Sequence, residues 1–412
     1  MKKLKTDVLV IGGGAAGMAA AIGAAREGSK VILIEREDRT GGVLNQCIHN
    51  GFGLKFYEEE LTGPEFAARL EEEMSQKSID IISQAYLREV DLDNKIAYIL
   101  SPEDAFIVKS KAIVISTGAR ERPFGSLMVP GDRPAGIFTA GTAQRFVNLE
   151  NRLPGKRALV LGSGDIGLIM ARRLFLEGME VVGVVERLPY PGGLTRNVVQ
   201  CLEDFGIPLY LSATVTYVKG FPRLEAVEVM EVDKNLNPIP GTEKWYNVDT
   251  LVLSAGLLPQ VEDFSDRLLV DRINRGFLVS NTCETSKPGI FAAGNNVAVF
   301  DLVDYVAAEG WIAGRHAALT AQEKRQNHKQ FPVVRGKNVG VLVPGKISLE
   351  ENLRIYLRLK KPMESGTVVL KELGIESSFK YGVPSEMLQI VVNKNKLAAI
   401  KNHEKLTVEV IE

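Results

Sequence analysis

The chain has 412 residues, enough for two or three domains with ample core, and its 50 basic and 51 acidic residues leave a net charge of −1. That balance gives no electrostatic footprint for nucleic acid or an anionic membrane surface. Three cysteines (Cys47, Cys201, Cys283) without a CxxC, and four scattered histidines, exclude a cysteine-ligated zinc or iron–sulfur site and any metal cluster within the chain, and they suit a reducing cytoplasm.

Asp7 to Arg36 reads as strand, glycine turn, helix and second strand. Val8 to Ile11 is an unbroken apolar run, as in a strand buried on both faces. Gly12-x-Gly14-x-x-Gly17 follows directly. The first glycine permits a sharp turn, the second lets a pyrophosphate approach the backbone, and the third lets the helix pack close to the strand. The helix then starts with N–H groups free to face that pyrophosphate. Glu35 stands 18 residues beyond Gly17, at the end of the next strand, where a carboxylate accepts bonds from ribose hydroxyls. The competing reading is a membrane span, since Val8 to Ala25 carries no charge over 18 residues. Crowding by glycine and alanine argues against it, and no small-residue cleavage site ends the stretch as in a signal peptide. A second copy further along decides for dinucleotide binding.

Beyond Glu35 the chain is rich in glycine and amides as far as Gly53, and reads as a loop. Phe66, Leu70 and Met74, spaced by fours, predict an amphipathic helix. Ile79 to Asn94 and Lys95 to Val108 are expected as strands of a small meander, and Lys111 to Gly118, KAIVISTG, as a buried strand running into a small-residue turn. Arg157 to Arg187 then repeats the opening. Gly162, Gly164, Gly167 and Gly178 match Gly12, Gly14, Gly17 and Gly28 at a constant offset of 150, and Glu186 matches Glu35 at 151. Gly192-Gly193-Leu194 echoes Gly41-Gly42-Val43. A repeat this long implies two nucleotide-binding units. Asp249 to Pro259 and Gly289 to Asn295 are further strand-and-turn stretches, and DLVDYVAAEGWIAGRHAA predicts a small-residue helix. Its N-terminus, around Leu302 to Tyr305, favours negative charge before it. Gln322 to Lys329 reads as a polar linker. Beyond Phe331, Leu353, Ile355, Leu357 and Leu359 alternate with polar residues, and Thr367–Leu370, Met387–Val392, Leu397–Ile400 and Leu406–Val410 add short apolar runs. Residues 331–412 therefore read as a small all-β, sandwich-like domain, either a stabilising appendage or a docking surface.

Together these stretches resemble two-dinucleotide flavoproteins of the pyridine nucleotide-disulfide oxidoreductase type. Three segments, GGVLNQCIHNGFGL with EELTGPEF, GIFTAGTAQRFVN and AAGNNVAVFDLVDYV, are similar to the flavoprotein found beside anaerobic-type glycerol-3-phosphate dehydrogenases. The wider set includes the α subunits of opine oxidases, dye-linked amino-acid dehydrogenases and hydrogen cyanide synthase, and the likeness spans about residues 4 to 320. The resemblance implies an α/β fold of two Rossmann-like, glutathione-reductase-like domains plus a C-terminal all-β domain. The FAD-binding domain is expected at 1–118 and 275–328, the NAD-binding domain at 119–274 and the β domain at 331–412. The implied FAD contacts are Gly12, Gly14, Ala15, Ala16, Gly17, Glu35, Arg36, Gly42, Val43, Thr117, Gly118, Gly294, Asn295, Leu302 and Val303. Those for NAD(H) are Gly162, Gly164, Asp165, Ile166, Gly167, Glu186, Arg187 and Gly256. Asn295 replaces the family's Asp, leaving an amide oxygen for a ribityl hydroxyl. Glu186 favours NAD(H), whereas Arg187 or Arg196 would hold the 2′-phosphate of NADP(H).

Disulfide reductases of this plan carry two redox cysteines, two and seven positions after the Gly-Gly pair. Leu44 and His49 stand there instead, with Cys47 between them, so a dithiol relay is not expected. Cys47 is either a packed thiol or a sulfenic-acid cysteine, and His49 either a locally bonded loop residue or a group that moves a proton beside the flavin. The implied activity is hydride transfer between NAD(H) and FAD, with electrons exchanged with a partner flavoprotein, glycerol-3-phosphate dehydrogenase, and a small cysteine-rich Fe–S protein in a cytoplasmic hetero-oligomer. The alternatives are a stand-alone NADH oxidase or peroxidase using Cys47, and a non-catalytic FAD-bearing assembly subunit.

Overall fold

The computed structural model describes residues 1–325 and 329–412. Six α-helices lie among them: α1 (Ala15–Arg26), α2 (Gly63–Ser75), α3 (Ala140–Asn148), α4 (Asp165–Leu176), α5 (Thr195–Cys201) and α6 (Val303–Ala321). The chain divides into two compact units, one of residues 1–119 with 258–412 and one of residues 120–257. Among the described residues no helix is long and apolar enough to cross a membrane, and the uncharged opening stretch is a four-residue strand followed by the 12-residue α1.

In the first unit a five-stranded parallel sheet runs in the order Ile290–Ala292, Ala112–Ile115, Val8–Ile11, Val31–Ile34, Ile79–Ile82. VLVI, VILI and AIVI are wholly buried because both faces of the sheet are covered, which is why they read as continuous apolar runs rather than alternating ones. On one face α1 meets α6 backbone to backbone. A Cβ built on Gly310 would lie 2.2 Å from the carbonyl oxygen of Ala16, and one on Gly314 would lie 1.9 Å from that of Ala20. The run of alanines and glycines is thus the contact surface of a tightly packed helix pair. Glu65 and Thr62 close a capping box at the start of α2, whose Phe66, Leu70 and Met74 turn inward as their spacing predicts.

The meander differs from expectation. Ile79–Ile82 joins the parallel sheet, and Lys95–Val108 is broken into Ile96–Leu100 and Ala105–Lys109 by a turn in which Ser101 and Asp104 bond each other. These two strands pair with Tyr86–Asp91 and, in parallel, with Lys2–Lys5. The crossing back into this unit falls at residues 257/258 and not near 274, because Phe264 and Leu268 pack into the same core as Val90, Leu92 and Phe277.

The C-terminal segment is all-β as expected. One sheet has the order Lys346–Ile347, Phe331–Arg335, Leu406–Ile411, Met363–Leu370, Ile375–Gly382, and a second has the order Val339–Val343, Leu353–Leu359, Leu388–Val392. They enclose a core of their own. Leu397–Ile400 is a correction: it lies in a 3-10 helix, Lys394–Asn402, started by Asn393, whose side chain accepts from Asn395 N–H. Leu397 and Ile400 are three apart and so fall on one face of such a helix. The segment belongs to the first compact unit. Asn281 bonds the carbonyls of Ser348 and Glu351, and Arg335 grips Asp271 with two 2.9 Å bonds. Of the expected polar linker, residues 326–328 lie outside the described residues.

The second unit repeats the plan. Its parallel sheet runs Ile137–Thr139, Thr250–Leu253, Arg157–Leu161, Glu180–Val185, Leu209–Tyr210, with a three-stranded antiparallel sheet, Ala213–Lys219, Ala226–Glu231 and Lys244–Asn247, beside it.

Candidate functional site

Each unit presents one cradle, and the two are built alike. In the first, Gly12 has φ +99°, and a Cβ there would lie 2.5 Å from Ser116 O. In the second, Gly162 has φ +103°, and a Cβ would lie 2.2 Å from Ser254 O. Gly17 and Gly167 press against the carbonyls of Gly12 and Gly162, where a Cβ would come within 1.8 and 2.3 Å. Gly14 behaves differently: a Cβ there meets nothing within 4 Å. The outer glycines are therefore demanded by packing, while the middle one leaves the backbone bare for a ligand. Gly14 and Gly164 are the N-caps of α1 and α4 and offer no side-chain oxygen. The first-turn N–H groups, including those of Ala15, Ala16, Asp165 and Ile166, lack intrahelical acceptors and suit a phosphate.

The terminal carboxylates are also held alike. Glu35 accepts from the N–H of Gly13 at 2.6 Å and of Glu37 at 2.8 Å. Glu186 accepts from the N–H of Ser163 at 2.9 Å and of Leu188 at 2.9 Å. Both are buried, so each is fixed beside its glycine turn. The exposed Arg36 pairs with Glu37, and the guanidinium of Arg187 donates to Leu236 O at 2.8 Å.

Further predicted residues gather at the first cradle. Gly42 lies over Gly14, whose Cα would be 3.3 Å from a Cβ there, and Val43 next to it is 62% exposed. Gly294, at φ +84°, abuts Ala16, whose Cβ would be 2.9 Å from its own. Gly118, at φ +69°, opens onto space free of atoms within 4 Å, and Thr117 beside it bonds Gln260 O. Gly256, at φ +95°, is equally open in the second unit. The side-chain oxygen of Asn295 accepts from Phe300 N–H at 3.0 Å, so part of its capacity is used in shaping its own turn. The donor set and the bare backbone at Gly14 and Gly118 fit a flavin dinucleotide.

Leu302 caps α6, and Leu302 and Val303 pack into the core on either side of the sheet. The sequence gives no sign of what Asp304 does. This buried residue takes the N–H groups of Gly53, Lys55 and Phe56 into one carboxylate, at 3.2, 2.8 and 2.9 Å. Lys55 in turn bonds the hydroxyl of Tyr305 and lies 4.6 Å from its ring centre. The loop after the Gly-Gly pair is thus fastened to the start of α6.

None of Cys47, Cys201 and Cys283 is in a disulfide. Burial, with the Glu309 carboxylate 3.2 Å from its sulfur, pushes the Cys283 thiol well up. Burial also raises Cys201. Both are poor nucleophiles at neutral pH. Cys47, half-buried, has its N–H and C=O tied to Leu44 and Gly63. His49 bonds the carbonyl of Asn50 at 2.9 Å and packs on Phe52 at 5.0 Å.

Residues 6–329 match the family model described as pyridine nucleotide-disulphide oxidoreductase. The chain is 25% identical over 338 residues to an opine oxidase subunit of Agrobacterium tumefaciens, covering 76% of this chain and 65% of that protein. It is 30% identical over 298 residues to an NADH dehydrogenase of Bacillus subtilis, covering 70% and 53%. The chain therefore spans only about half to two-thirds of the length of these relatives. Among solved structures, a thioredoxin reductase of T. acidophilum superposes with a TM-score of 0.63 at 23% identity, over 78% of this chain and 99% of that one, a likeness of fold.

Proposed function

This chain belongs to the pyridine nucleotide-disulphide oxidoreductase family of FAD- and NAD(P)-dependent oxidoreductases, and from that premise we propose that it is an electron-transfer subunit. It exchanges a hydride between NAD(H) and FAD, and electrons with a partner flavoprotein. The observation that carries the reading is the doubled carboxylate cradle with only one partly exposed cysteine: two dinucleotide sites and no dithiol. When bound, FAD supplies a group that accepts two electrons and passes them on.

The chain's residues do the rest. Gly12, Gly14 and Gly17, with the first turn of α1, hold the pyrophosphate of FAD, and Glu35 its ribose. Gly118, at the end of residues 111–118, and Gly294 and Asn295, at the end of residues 289–295, complete the same cradle, since the strands of these stretches follow Val8–Ile11 in the sheet and Gly294 abuts Ala16. Asp304 keeps the loop at 53–56 in place at this site. Gly162, Gly164 and Gly167 hold the nicotinamide nucleotide, and Glu186 selects NAD(H) over NADP(H) by accepting from the ribose and repelling a 2′-phosphate.

A role within a multi-subunit enzyme is supported by the likeness to the opine oxidase subunit. The finer assignment, a glycerol-3-phosphate dehydrogenase flavoprotein and a small cysteine-rich Fe–S protein as partners, is supported by the sequence resemblance. Anaerobic NADH titration of the purified FAD-loaded chain tests the reading. Bleaching by NADH with slow oxygen turnover is expected. Rapid oxygen or peroxide turnover abolished by Cys47→Ser would establish the oxidase or peroxidase instead, and a flavin that never bleaches would leave an assembly role.

A further inference from the structure

The two cradles form an internal comparison, because the same carboxylate is held in the same place by different neighbours. At the position after the first glycine, the first unit has Gly13 and the second has Ser163. Gly13 gives one N–H to one oxygen of Glu35, and Glu37 gives one to the other, so among the described residues each oxygen keeps a lone pair unused. Ser163 gives two donors to a single oxygen of Glu186: its N–H at 2.9 Å and its hydroxyl at 2.7 Å. That oxygen, Oε2, is thereby filled. Among the described residues Oε1 receives Leu188 N–H alone, at 2.9 Å, and keeps one site open. The Ser163 hydroxyl also accepts from Gly192 N–H at 2.8 Å, so its rotor is fixed. Ser163 is fully buried and Glu186 is 8% exposed. The second carboxylate is therefore locked in rotation, with one oxygen closed and one open.

We propose that Ser163 is a positioning residue for nucleotide choice: it holds Glu186 so that the carboxylate takes a single ribose hydroxyl bond and cannot swing away from a 2′-phosphate. The ligand class is an adenine dinucleotide with a free 2′-hydroxyl. The inference rests on the reading of Glu186 as the ribose-facing acid. A carboxylate held by one N–H on each oxygen yields more readily to an added phosphate than one held by three donors, two of them on a single oxygen, which stays in place and repels it.

The test is calorimetry on the FAD-loaded protein with ADP-ribose and 2′-phospho-ADP-ribose. FAD content and thermal midpoint serve as checks of folding. Wild type is expected to prefer ADP-ribose. Ser163→Ala, and Ser163→Gly, which reproduces the first cradle, are expected to weaken ADP-ribose and tighten the 2′-phosphate form, narrowing the ratio by roughly tenfold. In a Glu186→Ala background, Ser163→Ala is expected to leave the ratio where Glu186→Ala puts it, since the serine acts through the acid. Equal weakening of both ligands would mark a merely structural serine and overturn the proposal. So would an unchanged ratio in both serine variants while Glu186→Ala abolishes the preference, and that result would leave the reading of Glu186 standing. A wild type that prefers the 2′-phosphate form would remove both.

Discussion

Gly314 on α6 is the sharpest test of how the first unit is assembled. Replacing it with alanine places a Cβ 1.9 Å from Ala20 O and 2.6 Å from its carbonyl carbon, whereas real Cβ contacts essentially never fall below 3.0 Å. The helices must therefore part by about 1 Å at the crossing, and no side-chain rotamer can relieve a clash between backbones. Intrinsic propensity favours alanine within a helix by about 1 kcal/mol. Overpacking of a tight core costs about 1–3 kcal/mol and occasionally more, and rigid backbone places this site at the upper end. The expected net effect is a loss of roughly 2 kcal/mol, or a fall in midpoint of about 4–8 °C. Because α1 begins at the glycine turn, its displacement should also lower bound FAD. Thermal melting followed by flavin fluorescence, with FAD content per chain, reads both. Gly125→Ala is the control, since a Cβ there meets nothing within 4 Å. A Gly314→Ala protein as stable as wild type, with full FAD, would refute the close-packed helix pair.

Three further outcomes are expected. Asp304→Ala leaves the N–H groups of Gly53, Lys55 and Phe56 without their acceptor, and hydrogen exchange at those amides should quicken by about 100-fold, while unchanged protection would show the loop is held otherwise. Although burial raises the Glu351 carboxyl, the bonds from His316 and Asn352 N–H and the charge of Arg315 outweigh it and hold the group at about 2. A depressed carboxyl stabilises the fold above its ordinary value of 4.5 and loses that contribution as pH falls from there to about 2. The acid limb of unfolding should then flatten in Glu351→Gln, and coincident acid limbs would contradict it. Complete reduction should take two electrons per FAD, with NADH-to-dye activity largely kept in Cys47→Ser, and a four-electron stoichiometry would restore a dithiol.

What the sequence showed and what it hid divide along contact range. The glycine turns, the terminal acids and the second cradle were legible because each is a local pattern, and the offset of 150 made them mutually reinforcing. The replacement of Gly13 by Ser163 in the second copy gained meaning only once its hydroxyl was seen to bond Glu186. Asp304 was not legible, since its partners lie about 250 positions away and its neighbours predict only a helix start. The boundary at 257 was missed because Phe264 and Leu268 owe their place to a core assembled from distant strands. Leu397–Ile400 is short and apolar, a pattern that serves a strand or a tight helix equally well.

The order in which the chain is made gives the split first unit a further meaning. Residues 120–257 are contiguous and can close their sheet as soon as they are synthesised. The opening 119 residues cannot, for the strand on the outer side of Ala112–Ile115, away from Val8–Ile11, is Ile290–Ala292, and the helix that covers α1 ends at Ala321. Until those arrive, the nascent protein carries an unpaired strand edge and a bare face of alanine and glycine, both surfaces that invite wrong pairings. The middle of the chain should therefore become resistant to protease before its beginning does, with the first-made cradle the last to be completed.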